Sequence, residues 1–538
     1  MAKKTKTNET SLATLPKILG MGDTLLIDII ESMSVATNHG RDIDYHQVAT
    51  RKLARLATRM RAAHALLDYT QNVTEPDDAL HRIAELFVCD TVNDLFNEAA
   101  RAPGDFCLDS VPKEEARKEI GLVLTEKNYR MIGRSLLNGD AIYTRPIQTD
   151  SGDASDEEDL RASTRRFAED VIAPVAEKIH REGILIPEEI IRKVAELGYF
   201  GMSVPEAYDG VGMSNLMMVI ATEELSRASL PAGGSLITRP EILAKALLKG
   251  GTDEQKKTWL PRIATGDVMV AISVTEPDIG SDVAQIRCHA DATTLNGKPG
   301  YLINGAKAWC TFAGRADILA LLVRTDPDTA LGHRGLSLFI VEKDRFTRKE
   351  FVMRQPDGGT ITGKADATPG YRGMHSFTLQ FTDYFVPAEN LVGEEDGKGK
   401  GFYLQMNGFA AGRLQTGGRA LGLAQASLEV AVSYANGRPQ FGKLIADYQN
   451  TEYEIGWMAT QLEAGRQLTY AAARAMDRGD ANADLLASMA KLFTSRAAVD
   501  ISQRAQLLHG GWGYGEEFAI SRYVVDALVL PIFEGVEP

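Results

Sequence analysis

Glu534 lies in IFEGVEP, 532–538, between an apolar run and Gly535. A carboxylate with apolar neighbours is poorly hydrated, and poor hydration disfavours its charged form. Such a group is suited to taking a proton at working pH. A solvated loop glutamate is the plain alternative. Four further segments carry residues that could do chemistry. TEPDIGSD, 275–282, is a turn whose hydroxyls, Thr275 and Ser281, and exposed amides could hold a phosphate; an ordinary strand-ending loop looks the same. KAWCTFAG, 307–314, sets Trp309 and Thr311 two residues apart. On a strand that spacing shares one face, placing an aromatic plane beside a hydroxyl, as a flat ring needing one hydrogen bond would require. A core tryptophan is the alternative. RPQFGK, 438–443, offers the Arg438 guanidinium, the Phe441 ring and a glycine turn, or simply a charged helix end. HGGWGYGEE, 509–517, is glycine-rich. Gly510 and Gly511 permit close backbone approach to a ligand, or merely a turn.

These residues need elements to hold them. With 538 residues the chain has room for three or four domains. Hydrophobic residues are 44% and charged residues 25%, an ordinary globular balance. A net charge of -14 leaves no electrostatic footprint for nucleic acid, although local arginine clusters can still attract an anionic substrate. Cys89, Cys107, Cys288 and Cys310 form no CxxC pair, so neither a metal site nor a disulfide framework is expected. That fits a reducing cytoplasm. No uncharged apolar run approaches the roughly 20 residues of a membrane span. MAKKTKTNETSLATL is basic without an apolar signal core and reads as a short disordered tail.

Residues 1–147 show helical spacing, as in YHQVATRKLARLATRMRAAHALLDYTQNV. The acidic stretch 148–157 lacks large apolar side chains and reads as a linker. Residues 158–267 are helical again, punctuated by Pro187, Pro205 and DGVGM. Over 268–397, short β-rich runs such as VMVAISV and LSLFIVE alternate with turn residues, which predicts a β domain. From 398 to 538 long helices return. Ile455, Met458, Ala459 and Leu462 form an apolar stripe predicting bundle core, and Gly479 predicts a helix stop.

In the order TEPxxGSD, KxW-T, VPxxNxxG, RxQFGK, HGGxGY, EG, these motifs resemble the acyl-CoA dehydrogenase family over about residues 158–538. The resemblance implies an α+β multidomain fold: helical bundle, β barrel-like middle domain, helical bundle, here with an extra N-terminal helical domain. It implies FAD as cofactor and no metal. Thr275 and Ser281 should hydrogen-bond the flavin or its phosphates, Trp309 should pack on the ring, and Thr311 should donate toward it. Arg438, Phe441, Gln449, Gly510 and Gly511 should meet FAD across a subunit interface, so a homodimer or homotetramer is expected. Glu534 matches the family's base, which takes the α-proton of an acyl-CoA as the β-hydride leaves to the flavin. One branch places its base on the helix near AAGRLQTGG, where this chain has Gly412. Electron-transfer flavoprotein is the implied electron acceptor.

The sequence departs from the family at Leu507, where glutamine is usual (Gln506 is one residue earlier), and at Val536, where a hydroxyl is usual. The family continues into a last helix past the position of Pro538, which points to a trimmed end. The added N-terminal block and FAAGRLQTGGRALGLAQ most resemble the branch that oxidises (2S)-methylsuccinyl-CoA to mesaconyl-CoA in the ethylmalonyl-CoA route. Such a substrate carries a free carboxylate, for which Arg413, Arg227, Arg239 and Arg372 are candidate partners and Tyr371 a further contact. ELSRASLPAGGSLITRP is a few residues short by family standards and implies a tighter acyl-pocket wall. The rival readings are a general short- or branched-chain acyl-CoA dehydrogenase, an acyl-CoA oxidase, and a non-catalytic acyl-CoA-binding scaffold.

Overall fold

The computed structural model describes residues 14–73, 78–111, 117–140 and 154–537. Helices α1 (Leu15–Ala36), α2 (Gln47–Asn72), α3 (Asp78–Arg101), α4 (Arg117–Val123) and α5 (Glu126–Leu137) form the N-terminal extension. The predicted tail lies almost wholly outside the described residues, as does the acidic linker up to residue 153. The linker's last four residues are helical, because α6 (Ala154–Phe167) starts there with Asp156 and Glu157 in its first turn, where acidic side chains suit the helix dipole.

The helices α7 (Ala173–Glu182), α8 (Glu188–Glu196), α9 (Asn215–Ala228), α10 (Ser235–Gly250) and α11 (Asp253–Ala264) follow. Pro187 precedes α8 as expected. A capping box between Thr252 and Gln255 starts α11.

Next come β1 (Val270–Ser273), β2 (His289–Leu295), β3 (Lys298–Thr311), β4 (Ile318–Arg324), β5 (Leu336–Glu342), β6 (Glu350–Arg354), β7 (Thr360–Ala365) and β8 (Ser376–Pro387). They make one eight-stranded sheet in the order β1-β4-β2-β3-β8-β7-β6, with β5 on β4. β4 is buried along its whole length, as a strand covered on both faces must be.

The C-terminal part contains α12 (Glu394–Gly397), α13 (Gly401–Gly437), the short hairpin β9 (Pro439–Gln440) and β10 (Lys443–Leu444), α14 (Gln449–Arg478), α15 (Ala483–His509), α16 (Gly511–Tyr514) and α17 (Ile520–Ala527). α13 packs against α9, α10, α14 and α15, so it runs through the centre of the helical core. The predicted stripe Ile455, Met458, Ala459 and Leu462 is buried on α14. Gly479 ends that helix with φ +72°, a conformation that glycine adopts freely.

The extension is seated on α14. A Cβ at Gly133 of α5 would lie 1.8 Å from the Glu452 carbonyl oxygen, and one at Gly456 would lie 1.9 Å from that of Tyr129. The two backbones therefore touch. Arg130 Nε and Arg134 Nη2 donate to the buried Glu452 carboxylate at 2.8 and 2.7 Å. Burial raises the Glu452 pKa, but the hydrogen bonds from both arginines outweigh it and hold the group below its usual range. A depressed carboxylate stabilises the fold fully above its ordinary pKa of 4.5 and loses that effect as pH falls through the folded value.

Gly456→Ala should cost about 1–3 kcal/mol, because no flexible side chain can yield at the contact. Equilibrium denaturation checks this. An unchanged midpoint would mean that the helices are not in backbone contact.

Candidate active site

The loop after β1 is fastened to β3 by a buried ion pair. Lys307 is fully buried, and its ammonium donates to Val274 O at 2.8 Å and to Glu276 Oε1 at 3.0 Å. The Glu276 carboxylate also accepts from Arg287 N and Cys288 N, each at 2.8 Å. Ala308 N closes the junction on Thr275 O at 2.8 Å. This fixes TEPDIGSD beside the end of β3, with Thr275 half-buried and Ser281 exposed.

β3 breaks register with β8 between Lys307 and Cys310. Trp309 sits in that break with φ +57° and is 58% exposed. A bulge of this kind re-aims a side chain. The simple alternation expected for Trp309 and Thr311 therefore fails. Thr311 is buried, its hydroxyl 3.1 Å from Ser376 Oγ, while the indole is turned outward. Phe312, also at positive φ, donates its N–H to His375 O at 2.8 Å. That contact ties β3 to the turn before β8.

The same turn leads to Glu534. Tyr371 lies in it with φ +58°, its N–H donating to the buried Asp526 carboxylate at 2.6 Å. The Tyr371 ring meets Phe533 edge-on at 5.8 Å. Glu534 follows with φ +55°. Non-glycine residues in this region are strained and tend to cluster at functional sites; Trp309, Phe312, Tyr371, His375 and Glu534 all adopt it. The carbonyls flanking the carboxylate are held from below: Arg413 Nε donates to Glu534 O at 3.3 Å, and Lys491 donates to Gly535 O. Burial pulls the Lys491 ammonium down to about 8. Glu534 Oε2 is buried and accepts no hydrogen bond from the described residues. A Cβ on Gly412 would stand 3.1 Å from that oxygen and 3.5 Å from Ile242 Cδ1. Gly412, the alternative base position, thus borders the carboxylate and supplies the space it occupies.

The candidate arginines fare differently. Arg227 is taken by Glu429 at 2.8 Å and Glu169 at 2.8 Å, which removes it from the candidates. Arg372 donates to the Thr368 and His180 carbonyls. Arg413 serves the Glu534 carbonyl. Arg239 is 5% exposed, and its Nε and Nη2 find no acceptor among the described residues. Sequence reasoning missed Arg419 of α13, which is fully buried with its guanidinium 4.6 Å from the Phe533 ring centroid. Its Nη2 donates to Thr416 Oγ1 at 2.7 Å, while Nε and Nη1 have no acceptor at hydrogen-bond distance among the described residues. Burial lowers the Arg419 pKa, and the like charge of Arg239 adds to that, against the pull of Tyr371 and Glu534. Unsatisfied buried donors cost about 1–3 kcal/mol each, more when charged. The available signal was an arginine embedded in the small and apolar run GGRALGLA.

A separate surface cavity is lined by Tyr434, Arg438, His509, Gly510, Gly511 and Trp512. Phe441 stands beyond β9, 95% exposed, at φ +52°. Leu507 is exposed on the cavity wall, and Gln506 Nε2 donates to Gly513 O at 3.1 Å. Gln449 opens α14. With its amide oxygen toward the extension, it accepts from Arg130 Nη1 at 3.2 Å.

Three domain models of acyl-CoA dehydrogenases match in order: N-terminal over 154–267, middle over 271–384 and C-terminal over 399–537. The chain belongs to the acyl-CoA dehydrogenase family. It is 40% identical to a (2S)-methylsuccinyl-CoA dehydrogenase of Cereibacter sphaeroides over 70% of this chain and 66% of that one, just under two thirds of the relative's length. It is 38% identical to an acyl-CoA dehydrogenase of Bacillus subtilis strain 168 over 70% and 93%. Among solved structures, a chain from the electron transferring flavoprotein study of Acidaminococcus fermentans matches with TM-score 0.65 and 32% identity, covering 72% of this chain and 96% of that one. A glutaryl-CoA dehydrogenase of Mycobacterium smegmatis in complex with FADH2 matches with TM-score 0.61 and 25% identity, covering 71% and 91%. Acyl-CoA dehydrogenases are FAD-dependent oxidoreductases. The residues present fit that cofactor: an outward indole on a strained bulge, a threonine hydroxyl two residues on, and an exposed loop hydroxyl at Ser281. Among the described residues no helix is long and apolar enough to cross a membrane, and no His, Cys, Asp or Glu cluster could hold a metal.

Lys307→Met strands the Glu276 carboxylate in the sheet. Removing one partner of a buried pair costs about 3–5 kcal/mol. The variant should unfold at lower denaturant and lose FAD during purification. Unchanged stability and full flavin content would show that the pair does not organise this loop.

Proposed function

We propose that this protein removes the α-proton and β-hydride of a short-chain acyl-CoA, with (2S)-methylsuccinyl-CoA as substrate and mesaconyl-CoA as product. The observation carrying this reading is Glu534 Oε2, buried beside Gly412 without a hydrogen-bond partner among the described residues, at the end of a connected path to Trp309 and Thr311.

Glu534 takes the α-proton, made acidic by the thioester carbonyl. Its backbone N–H donates to the thioester oxygen, where charge develops. Arg413 and Lys491 hold the carbonyls around the base and so keep its carboxylate aimed at one carbon. Bound FAD supplies the hydride acceptor, with Thr275, Ser281, Trp309 and Thr311 as its holders on this chain. Arg438, Phe441, Gln449, Gly510 and Gly511 meet the adenine-diphosphate end across an interface between two copies, and the 95% exposure of Phe441 supports such a cover. Electron-transfer flavoprotein then reoxidises the enzyme. The helical turn Leu230–Gly234 is buried, and a Cβ on Gly234 would lie 1.8 Å from Ser226 Oγ. So closely packed a wall suits a short acyl group. The Cereibacter sphaeroides similarity supports the substrate.

Glu534→Gln should leave FAD bound and abolish bleaching of the flavin by (2S)-methylsuccinyl-CoA under anaerobic conditions. Retained full bleaching would refute the base assignment. Peroxide production in air at the turnover rate would instead favour the oxidase.

A further inference from the structure

We infer that Asp526 is a positioning residue: by holding the turn before β8, it sets the separation between the base on the C-terminal loop and the strand that carries Trp309 and Thr311. The inference rests on the dehydrogenase reading above. Asp526 lies on α17 and is fully buried. Among the described residues its carboxylate receives one hydrogen bond, from the Tyr371 N–H at 2.6 Å, and Oδ2 has none. Arg522 Nη1 and His180 Nδ1 stand 3.9 and 3.8 Å away, beyond hydrogen-bond length. Arg522 Nε is committed to Glu177 at 2.7 Å. Burying a charge is costly unless it is paired and hydrogen-bonded, so a side chain that only filled this space would be apolar. The bond Asp526 does make goes to a residue under strain. Tyr371 has φ +58°, a conformation that persists only where the surroundings impose it.

The turn touches both halves of the site. Toward the base, Gly370 meets α17 backbone to backbone: a Cβ there would lie 2.3 Å from Val525 O. The Tyr371 ring meets Phe533 edge-on at 5.8 Å, and Glu534 comes next. Toward the strand, His375 O accepts the Phe312 N–H at 2.8 Å, and Ser376 Oγ lies 3.1 Å from Thr311 Oγ1. Glu534 stands eight positions after Asp526. The chain leading to the base and the contacts leading through the turn to β3 therefore start from one residue. Arg413 and Lys491 fasten the Glu534 and Gly535 carbonyls to α13 and α15, which fixes the loop to helices. The Asp526 bond ties it to the segment that enters the sheet. Removing an α-proton and a β-hydride from adjacent carbons needs both sides aligned, and a displacement of about 1 Å can cost about 100-fold in rate.

The test compares D526N, which keeps an oxygen for the Tyr371 N–H, with D526L, which has a similar shape and no acceptor. Both are made as full-length, FAD-loaded protein. The rate constant of anaerobic bleaching by (2S)-methylsuccinyl-CoA, counted per bound flavin, should fall at least 30-fold in D526L and no more than threefold in D526N. Half-saturating substrate should shift less than threefold in either, because alignment is lost and not binding. Hydrogen–deuterium exchange supplies a readout apart from activity. D526L should exchange faster over both 368–376 and 531–537, whereas a local structural role would loosen the first segment alone. Bleaching by D526L within threefold of the wild type, equal losses in the two variants, or faster exchange confined to 368–376 would overturn the inference. If D526L does not fold, G370A decides: its methyl group wedges the turn away from Val525 O and should slow bleaching at least tenfold, and an unchanged rate overturns the inference. Rapid exchange of the Tyr371 amide in the wild type would overturn it without any variant. Bleaching of the wild type by no acyl-CoA would remove the dehydrogenase reading, and the exchange of the two segments would still decide whether Asp526 couples them.

Discussion

A single buried carboxylate oxygen without a hydrogen-bond partner governs the arrangement of this protein. Glu534 Oε2 is enclosed at the meeting point of the C-terminal loop, α13 and α10, and protein donors reach only the carbonyls around it. Keeping such a group in place has structural requirements. Its backbone takes a left-handed φ, its neighbour on α13 has no Cβ, and Arg413 and Lys491 fasten the carbonyls of Glu534 and Gly535. The carboxylate is thus held in one place.

The sheet meets a matching requirement by a different route. An outward tryptophan at the end of β3 needs a rigid base. The Lys307–Glu276 pair provides it by using the Glu276 oxygens on two further backbone N–H groups. Burying both ions is unfavourable in itself, and only full hydrogen bonding compensates. The pair joins the loop after β1 to the strand carrying Trp309.

Much of this was legible in the sequence where one element alone decides the outcome. Helical periodicity placed the core face of α14, Gly479 marked its end, and the β-rich texture over 268–397 marked the sheet. What could not be read depended on partners far along the chain. The bulge at Trp309 exists only against β8, so the two-residue spacing to Thr311 misled. The fate of Arg227 is set by Glu429, 202 residues away. Arg419 gains its meaning from what fails to reach it, and no local pattern records an absent partner. Residues 154–157 read as the end of the linker, yet they begin α6, since the charges of Asp156 and Glu157 at a helix start suit its dipole as well as they suit solvent.

The seating of α5 on α14 carries a consequence for biosynthesis. Arg134 and the glutamate that receives it are 318 positions apart, and synthesis proceeds from the N-terminus. The front helices must leave the ribosome and wait through the whole of the sheet before their docking surface is made. During that interval the face that will meet α14 stays uncovered.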